Sequence, residues 1–267
     1  INSNLLVTNL LLEDDPGVRL QAIVKITKSL DAYLNQYSPD GGCEEGPGYW
    51  SVSAASYFEC VSILQSATNN SLNTFANPFF DKIAQYIANV HIAKNYYVDF
   101  GDAHPTENPP GDLLYRNGEA IGDHQLTAFG AYCANRTGLA ATGPDLVHAL
   151  RHGSSSLSRF LPALLGASKV REAQQQDALI RDVWYPNLGL MAAREKAGSS
   201  DGIYLAVQAA SNGRSHAHND SGSFILYSDG EPVVIDVGVG TYTAKTFSPD
   251  RYSIWTMQSA YHNLRTI

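Results

Sequence analysis

The sequence predicts a multidomain α-then-β chain: an α/α solenoid or toroid over residues 1–178, followed by the start of an antiparallel β-sandwich over 179–267, here truncated. The residues themselves carry the order of the two halves. Apolar positions recur at helical spacing up to about residue 175. Beyond Tyr185 the pattern changes to short β-branched and aromatic runs separated by Gly, Asn, Asp and Ser. With 44% hydrophobic and 16% charged residues, the 267-residue chain has an ordinary globular composition and enough length for one large domain or two smaller ones.

Pro16 and Gly17 open the first strong helical stretch, VRLQAIVKITKSLDAYLNQY, and Pro39, Asp40, Gly41 and Gly42 break it. A second stretch is expected over Tyr49–Leu64 and a third over Pro78–Ala93. A Pro- and Gly-rich loop covers Asp102–Asp112, and two or three more helices fit between Ile121 and Ala178. Helices of this length joined by such loops suggest an α/α solenoid or toroid. The runs LGLMAAR, GIYLAVQAA, SFILYS and PVVIDVG then read as strands, with Ser228-Asp229-Gly230 as a hairpin turn. The opening INSNLLVTNLLLEDDPG reads as the middle of a protein, so a longer precursor is expected.

A net charge of −8 argues against nucleic acid as a partner. A cleft can still be locally basic, and Arg116, Arg136, Arg214 and Arg251 lie near the motifs that follow. The 15 tyrosines suit a polar, ring-shaped ligand, although half-buried packing accounts for most of them. Cys43, Cys60 and Cys133 form neither a CxxC pair nor an even-numbered framework. No apolar run is long enough to span a membrane.

The sharpest segment is SHAHNDSGSFILYSDGEPVVIDVGVGTY, Ser215–Tyr242. In an extended chain His216 and His218 face the same side. With Asp236 and with His262 from SAYHNL, His218 makes a candidate His/Asp/His metal set suited to zinc. Hydrogen-bonded or surface histidines remain the alternative. In PDGGCEEGPGYW, Glu44 and Glu45 enter a helix, where acidic residues also simply complement the helix dipole. In NYYVDFGDAHP, Tyr96 and Tyr97 stand beside Asp99 and Asp102, with packing as the alternative. In YRNGEAIGDHQL, Arg116, Glu119, Asp123 and His124 equally suit a solvated helix start.

The string HAHNDSGSF…DGEPVVIDVGVGTY…RY…SAYHN resembles the heparinase II/III family signature, and DGGCEEGPGYW resembles the toroid motif of the same family. The resemblance implies an incomplete toroid followed by antiparallel sheets with an active cleft between them. It implies catalysis by Tyr97 (Tyr96 as fallback) from the toroid and His216 from the sheet half. It implies one structural zinc ion held by His218, Asp236 and His262, and matches Glu45 to a cleft glutamate; Tyr96, Arg116, His124, Arg214 and Tyr242 complete the expected substrate-binding set. Relatives place Asn or His just before the cleft glutamate; here Gly41, Gly42, Cys43 and Glu44 stand there, so Arg116, His124 or Arg214 is expected to neutralise the substrate carboxylate.

The implied activity is a polysaccharide lyase cleaving an acidic, uronate-containing polysaccharide, heparin- or heparan sulfate-like, by β-elimination. The alternatives are an alginate or oligoalginate lyase of the same fold, a non-catalytic glycan-binding relative, and a glycosidase using Glu45 and Asp99. A periplasmic or secreted location is expected, with no nucleic acid partner and no membrane span.

Overall fold

The computed structural model describes residues 1–139, 141–153, 156–214 and 216–265. Eight α-helices come first in its helical regions: α1 (Asn2–Leu12), α2 (Pro16–Leu34), α3 (Pro47–Ala67), α4 (Pro78–Asn89), α5 (Gly111–Ile121), α6 (His124–Arg136), α7 (Gly143–Gly153) and α8 (Leu157–Glu172). A two-stranded ladder, β1 (His91–Ala93) with β2 (Tyr96–Tyr97), interrupts them after α4. Five antiparallel strands follow as a simple meander, β3 (Asp182–Tyr185), β4 (Leu190–Arg194), β5 (Ile203–Gln208), β6 (Phe224–Ser228) and β7 (Glu231–Val234). No helix among the described residues is long and apolar enough to cross a membrane.

The chain divides into two compact units, and neither is continuous in sequence. The first comprises residues 1–37, 51–84 and 109–176; the second comprises 38–50, 85–108 and 177–267. The expected boundary at 178 is therefore only the last of several crossings. Two of the motifs singled out from the sequence, PDGGCEEGPGYW and NYYVDFGDAHP, fold in the second unit with the sheet.

In the first unit the helix starts follow the sequence. The Asp15 carboxylate caps α2 by accepting from Gly17 and Val18 N–H, and Asp123 caps α6 through Gln125 and Leu126 N–H. Gly122, at φ 75°, ends α5 in the left-handed conformation that glycine favours. α5 and α6 pack against each other through backbone rather than side chains. A Cβ at Gly130 would sit 2.3 Å from Tyr115 N, and one at Gly111 2.2 Å from Ala134 N. Tyr115, Ala131, Ala134, Leu139, Leu146, Ala163, Ala167 and Val170 form the core beside that contact. Tyr57 stacks on Phe80, with ring centroids 5.2 Å apart, in a second aromatic cluster.

In the second unit, β4, β5 and β6 alternate in burial, so Leu190, Ala192 and Arg194, Tyr204, Ala206 and Gln208, and Ile225 and Tyr227 share one covered face. Arg194 is buried there and donates to the carbonyls of Ile180, Ser199, His91 and Ile92, with its guanidinium 5.0 Å from the Tyr204 ring. That cation holds β1 to the sheet. α4 stops at Asn89 rather than Ala93, because His91, Ile92 and Ala93 form β1 and the turn at Lys94 (φ 56°) returns the chain into β2. The Asp229-Gly230 turn, with both residues at positive φ, closes the β6–β7 hairpin as its sequence predicts.

The α5–α6 contact gives a stability test. Gly130→Ala forces a methyl group into the Tyr115 backbone and should cost about 1–3 kcal/mol, read as a lowered Tm in a thermal melt. An unchanged melting curve would show that the two helices are not in backbone contact.

Candidate functional site

The chemistry-bearing residues gather in the second unit around one carboxylate. Asp102 follows Gly101, whose φ of 69° turns the chain out of β2, and its side chain is fully buried. Its Oδ2 meets His216 Nδ1 at 2.8 Å; its Oδ1 meets His218 Nε2 at 3.1 Å and accepts from Arg251 NH2 at 2.7 Å. Burial alone would raise this carboxyl, but the hydrogen bonds from His216, His218 and Arg251 outweigh it and hold Asp102 well below the ordinary carboxylate range. Arg251 is anchored in turn by the carbonyls of Ala217 and Thr246, so the loop before it is tied to the histidine segment.

His216 itself sits at φ 58°, a conformation that a residue with a Cβ adopts only where its surroundings impose it. Ser215, the first residue of this segment, lies outside the described residues. With Nδ1 on Asp102, the other ring nitrogen of His216 faces outward, 3.7 Å from Glu45 Oε1. The hydrogen bond to Asp102 raises the imidazole pKa; burial opposes this, and the charges of Glu45 and Asp102 add to it. A small cleft of about 30 Å³ opens beside it, lined among others by Arg214, Glu44, Gln208 and Phe100. Arg214 donates through NH1 to the Leu188 carbonyl, while its buried Nε has no hydrogen-bond partner. Two tyrosines complete the surroundings. The Tyr49 ring lies 6.3 Å from His216, and its hydroxyl donates to the Tyr242 hydroxyl at 2.9 Å.

Next to this group lies a second, fully covered one. His218, Asp220 and His262 are buried, and one donor atom from each lies within 4.8 Å of the others. His218 Nδ1, Asp220 Oδ2 and His262 Nε2 have no hydrogen-bond partner. Three buried polar atoms without partners are costly unless a ligand meets them, and two imidazoles with a carboxylate suit a divalent transition metal. The expected ligand Asp236 is occupied differently: Oδ2 meets His262 Nδ1 at 2.8 Å, and Oδ1 accepts from Gly238 N–H at 2.9 Å. Asp220 stands beside the two histidines, and Asp236 holds the His262 ring. Asn263 fixes the same segment by donating to the carbonyls of Phe224 and Ile235.

The structure thus brings together His216, Glu45, Arg214 and Tyr242 from the expected set, and His218 with His262. Tyr97 lies in β2 of the same unit as His216, not in a helical half, and is 1% exposed with its ring 4.8 Å from His91. The Tyr97 ring is thus covered within the second unit. Tyr96 is half-buried against Tyr227 at 5.5 Å. Arg116 and His124 belong to the first unit, where Arg116 pairs with Asp112 at 3.2 Å and His124 opens α6. Asp99, 1% exposed and without hydrogen-bond partners for either oxygen, is pushed to about 8 by burial and the Asp236 charge. It is no partner for Glu45 in glycoside hydrolysis, which needs both carboxyl groups at the sugar. Sequence reasoning missed Asp102, Tyr49 and Asp220 as site residues; the only signal for each was its place inside a motif already singled out.

Known proteins agree with this architecture. Residues 179–264 match the family described as Heparinase II/III-like, C-terminal. Among solved structures, the Heparinase III-BT4657 gene product superposes with a TM-score of 0.60 at 18% identity, covering 98% of this chain and 35% of that one. The heparan sulfate lyase HepC from Pedobacter heparinus gives 0.61 at 13% identity, again over 98% and 35%. This chain therefore spans about a third of the length of those proteins. No curated protein sequence matches it. Residues 179–264 are thus similar to the Heparinase II/III-like C-terminal family, and the chain shares the fold of about a third of those solved structures.

Proposed function

We propose that this chain carries catalytic groups of a polysaccharide lyase that cleaves an acidic, uronate-containing polysaccharide by β-elimination. The observation that carries the reading is the pairing of His216 and Arg214 in one cleft, with His216 held through Nδ1 by Asp102. Elimination removes the C5 proton of the uronate and expels the C4 oxygen. The intermediate charge falls on the carboxylate, so the reaction needs a base near C5 and a cation near the carboxylate. The outward nitrogen of His216 is the base. Arg214, which lines the same cleft, is the cation. It takes the role given in relatives to the Asn or His that Gly42 and Cys43 replace here. A heparan sulfate-like polymer is the first substrate to try, since the similar structures are named heparinase III and heparan sulfate lyase; alginate is the second.

The buried group fits one zinc ion held by His218, Asp220 and His262. Such an ion would supply rigidity, fixing the segment that carries His216. Asp102 and Asp236 hydrogen-bond the other ring nitrogens of the two histidines, the usual outer support for imidazole ligands.

Two outcomes are expected. In the intact protein, His216→Ala should lower the rate of unsaturated-uronate formation, followed by its ultraviolet absorbance, by about 10²–10⁴-fold; full activity in this variant would remove His216 from the chemistry. Metal analysis of purified protein should find close to one zinc per chain. Asp220→Asn should abolish retention, whereas Asp236→Asn should weaken affinity by about 10–100-fold. The reverse ranking of the two variants would restore Asp236 as the ligand.

A further inference from the structure

An aromatic ring open to solvent borders His216. Phe247 is 68% exposed, the most exposed aromatic residue among the described ones. Its ring centre lies 6.1 Å from the His216 imidazole and 5.2 Å from the Tyr242 ring, steeply inclined to both. A phenyl ring in water is unfavourable, and a slack loop would turn it inward. This loop is pinned. Thr246, the residue before the ring, is buried; its Oγ1 accepts from Thr243 N–H at 2.9 Å and its carbonyl accepts from Arg251 NH1 at 3.0 Å. Arg251 N–H closes the turn on the Ser248 carbonyl, and the same Arg251 binds Asp102. The loop of Phe247 and the imidazole of His216 therefore share one anchor, the Asp102 carboxylate. The Tyr242 hydroxyl is held by Tyr49 and Asp102, which fixes the ring on which Phe247 leans. With so much of its surface open, the Phe247 ring has a flat apolar face free, held in place beside the outward base.

We propose that Phe247 is the stacking platform for the sugar ring linked to the uronate at His216, and that it selects a neutral glucosamine there over a second uronate. The inference rests on the lyase reading above. Arg214 and His216 line one cleft and Phe247 does not, so the uronate fills the cleft and its neighbour in the polymer meets the phenyl ring. A pyranose stacks on an aromatic ring through a face of C–H bonds, which both shed water on contact. Glucosamine linked to a uronate keeps one ring face free of axial oxygen. Guluronate carries axial oxygens on both faces and brings a second carboxylate. Glu45 already stands 3.7 Å from His216, so another anion beside it is repelled. The position thus favours polymers that alternate a uronate with glucosamine over polyguluronate.

Binding and turnover in the intact protein test the platform apart from the chemistry. In a His216→Ala background, Phe247→Ala should weaken the Kd of an unsulfated glucosamine–glucuronate hexasaccharide, read by calorimetry, by about 5–50-fold. Phe247→Trp should retain the affinity, whereas Phe247→Leu, apolar but not flat, should lose most of it. A hexaguluronate should bind weakly and equally with Phe247 or Ala at this position. With His216 present, Phe247→Ala should raise KM by a similar factor and leave kcat close to wild type. A fall in kcat at unchanged KM would make Phe247 a buttress of the imidazole and overturn the platform. A lowered Tm with unchanged binding would also overturn it, since the ring would then be covered by the rest of the chain. Equal losses for both hexasaccharides would overturn the selectivity. Binding that depends on Phe247 in a wild-type protein forming no unsaturated product removes the lyase reading and keeps the platform. A protein that binds no uronate oligosaccharide overturns both.

Discussion

One buried carboxylate organises the second unit. Asp102 binds His216, His218 and Arg251 at once and so joins three stretches that are far apart in sequence: the turn after β2, the histidine segment and the loop ending at Arg251. Removing an anion from water is expensive, and only several strong hydrogen bonds repay it. Here they do, and the repayment fixes geometry. His216 is held at a positive φ with one nitrogen engaged and the other turned outward, while the neighbouring His218 presents its second nitrogen to the buried pocket. A single group thereby links an outward-facing base to an enclosed donor set.

The two histidines, only two residues apart, have opposite surroundings. His216 is partly exposed beside Glu45 and Arg214, whereas His218 is sealed in with Asp220 and His262. This is a division of labour set by burial: the open ring can exchange protons with a ligand, and the closed one can serve only structure or a bound ion. Arg251, Asn263 and Gly238 belong to the same scheme. Each ties an irregular segment to the sheet or to a carboxylate, which is how a stretch with little regular structure after β7 holds a defined shape.

Much of the fold was legible because its signals are local. The Asp15 and Asp123 caps, the Pro starts, the alternating strands and the Asp229-Gly230 turn each act within a few residues. The end of the third helix was not, since Val90–Ala93 suits either a helix or a strand and the covered sheet face decides. The division into units was also hidden, because β1 is held to the sheet by Arg194, about a hundred residues later in the chain. In the site, His216, Glu45 and Arg214 were readable from motif chemistry. The closeness of Tyr49 to His216 was not, because the two are far apart in the chain and only the fold brings their rings together. Asp220 and Asp236 differ by which oxygens are already engaged.

The central claim is spatial, that a uronate ring settles with its C5 hydrogen on His216 and its carboxylate on Arg214. A crystal structure of the intact protein, inactivated and soaked with a uronate tetrasaccharide, measures this directly. The account predicts C5 at about 3–3.5 Å from the outward nitrogen of His216, the near-attack distance, with the carboxylate paired to Arg214. A sugar chain bound with no ring near His216, or with its carboxylate turned away from Arg214, would contradict it.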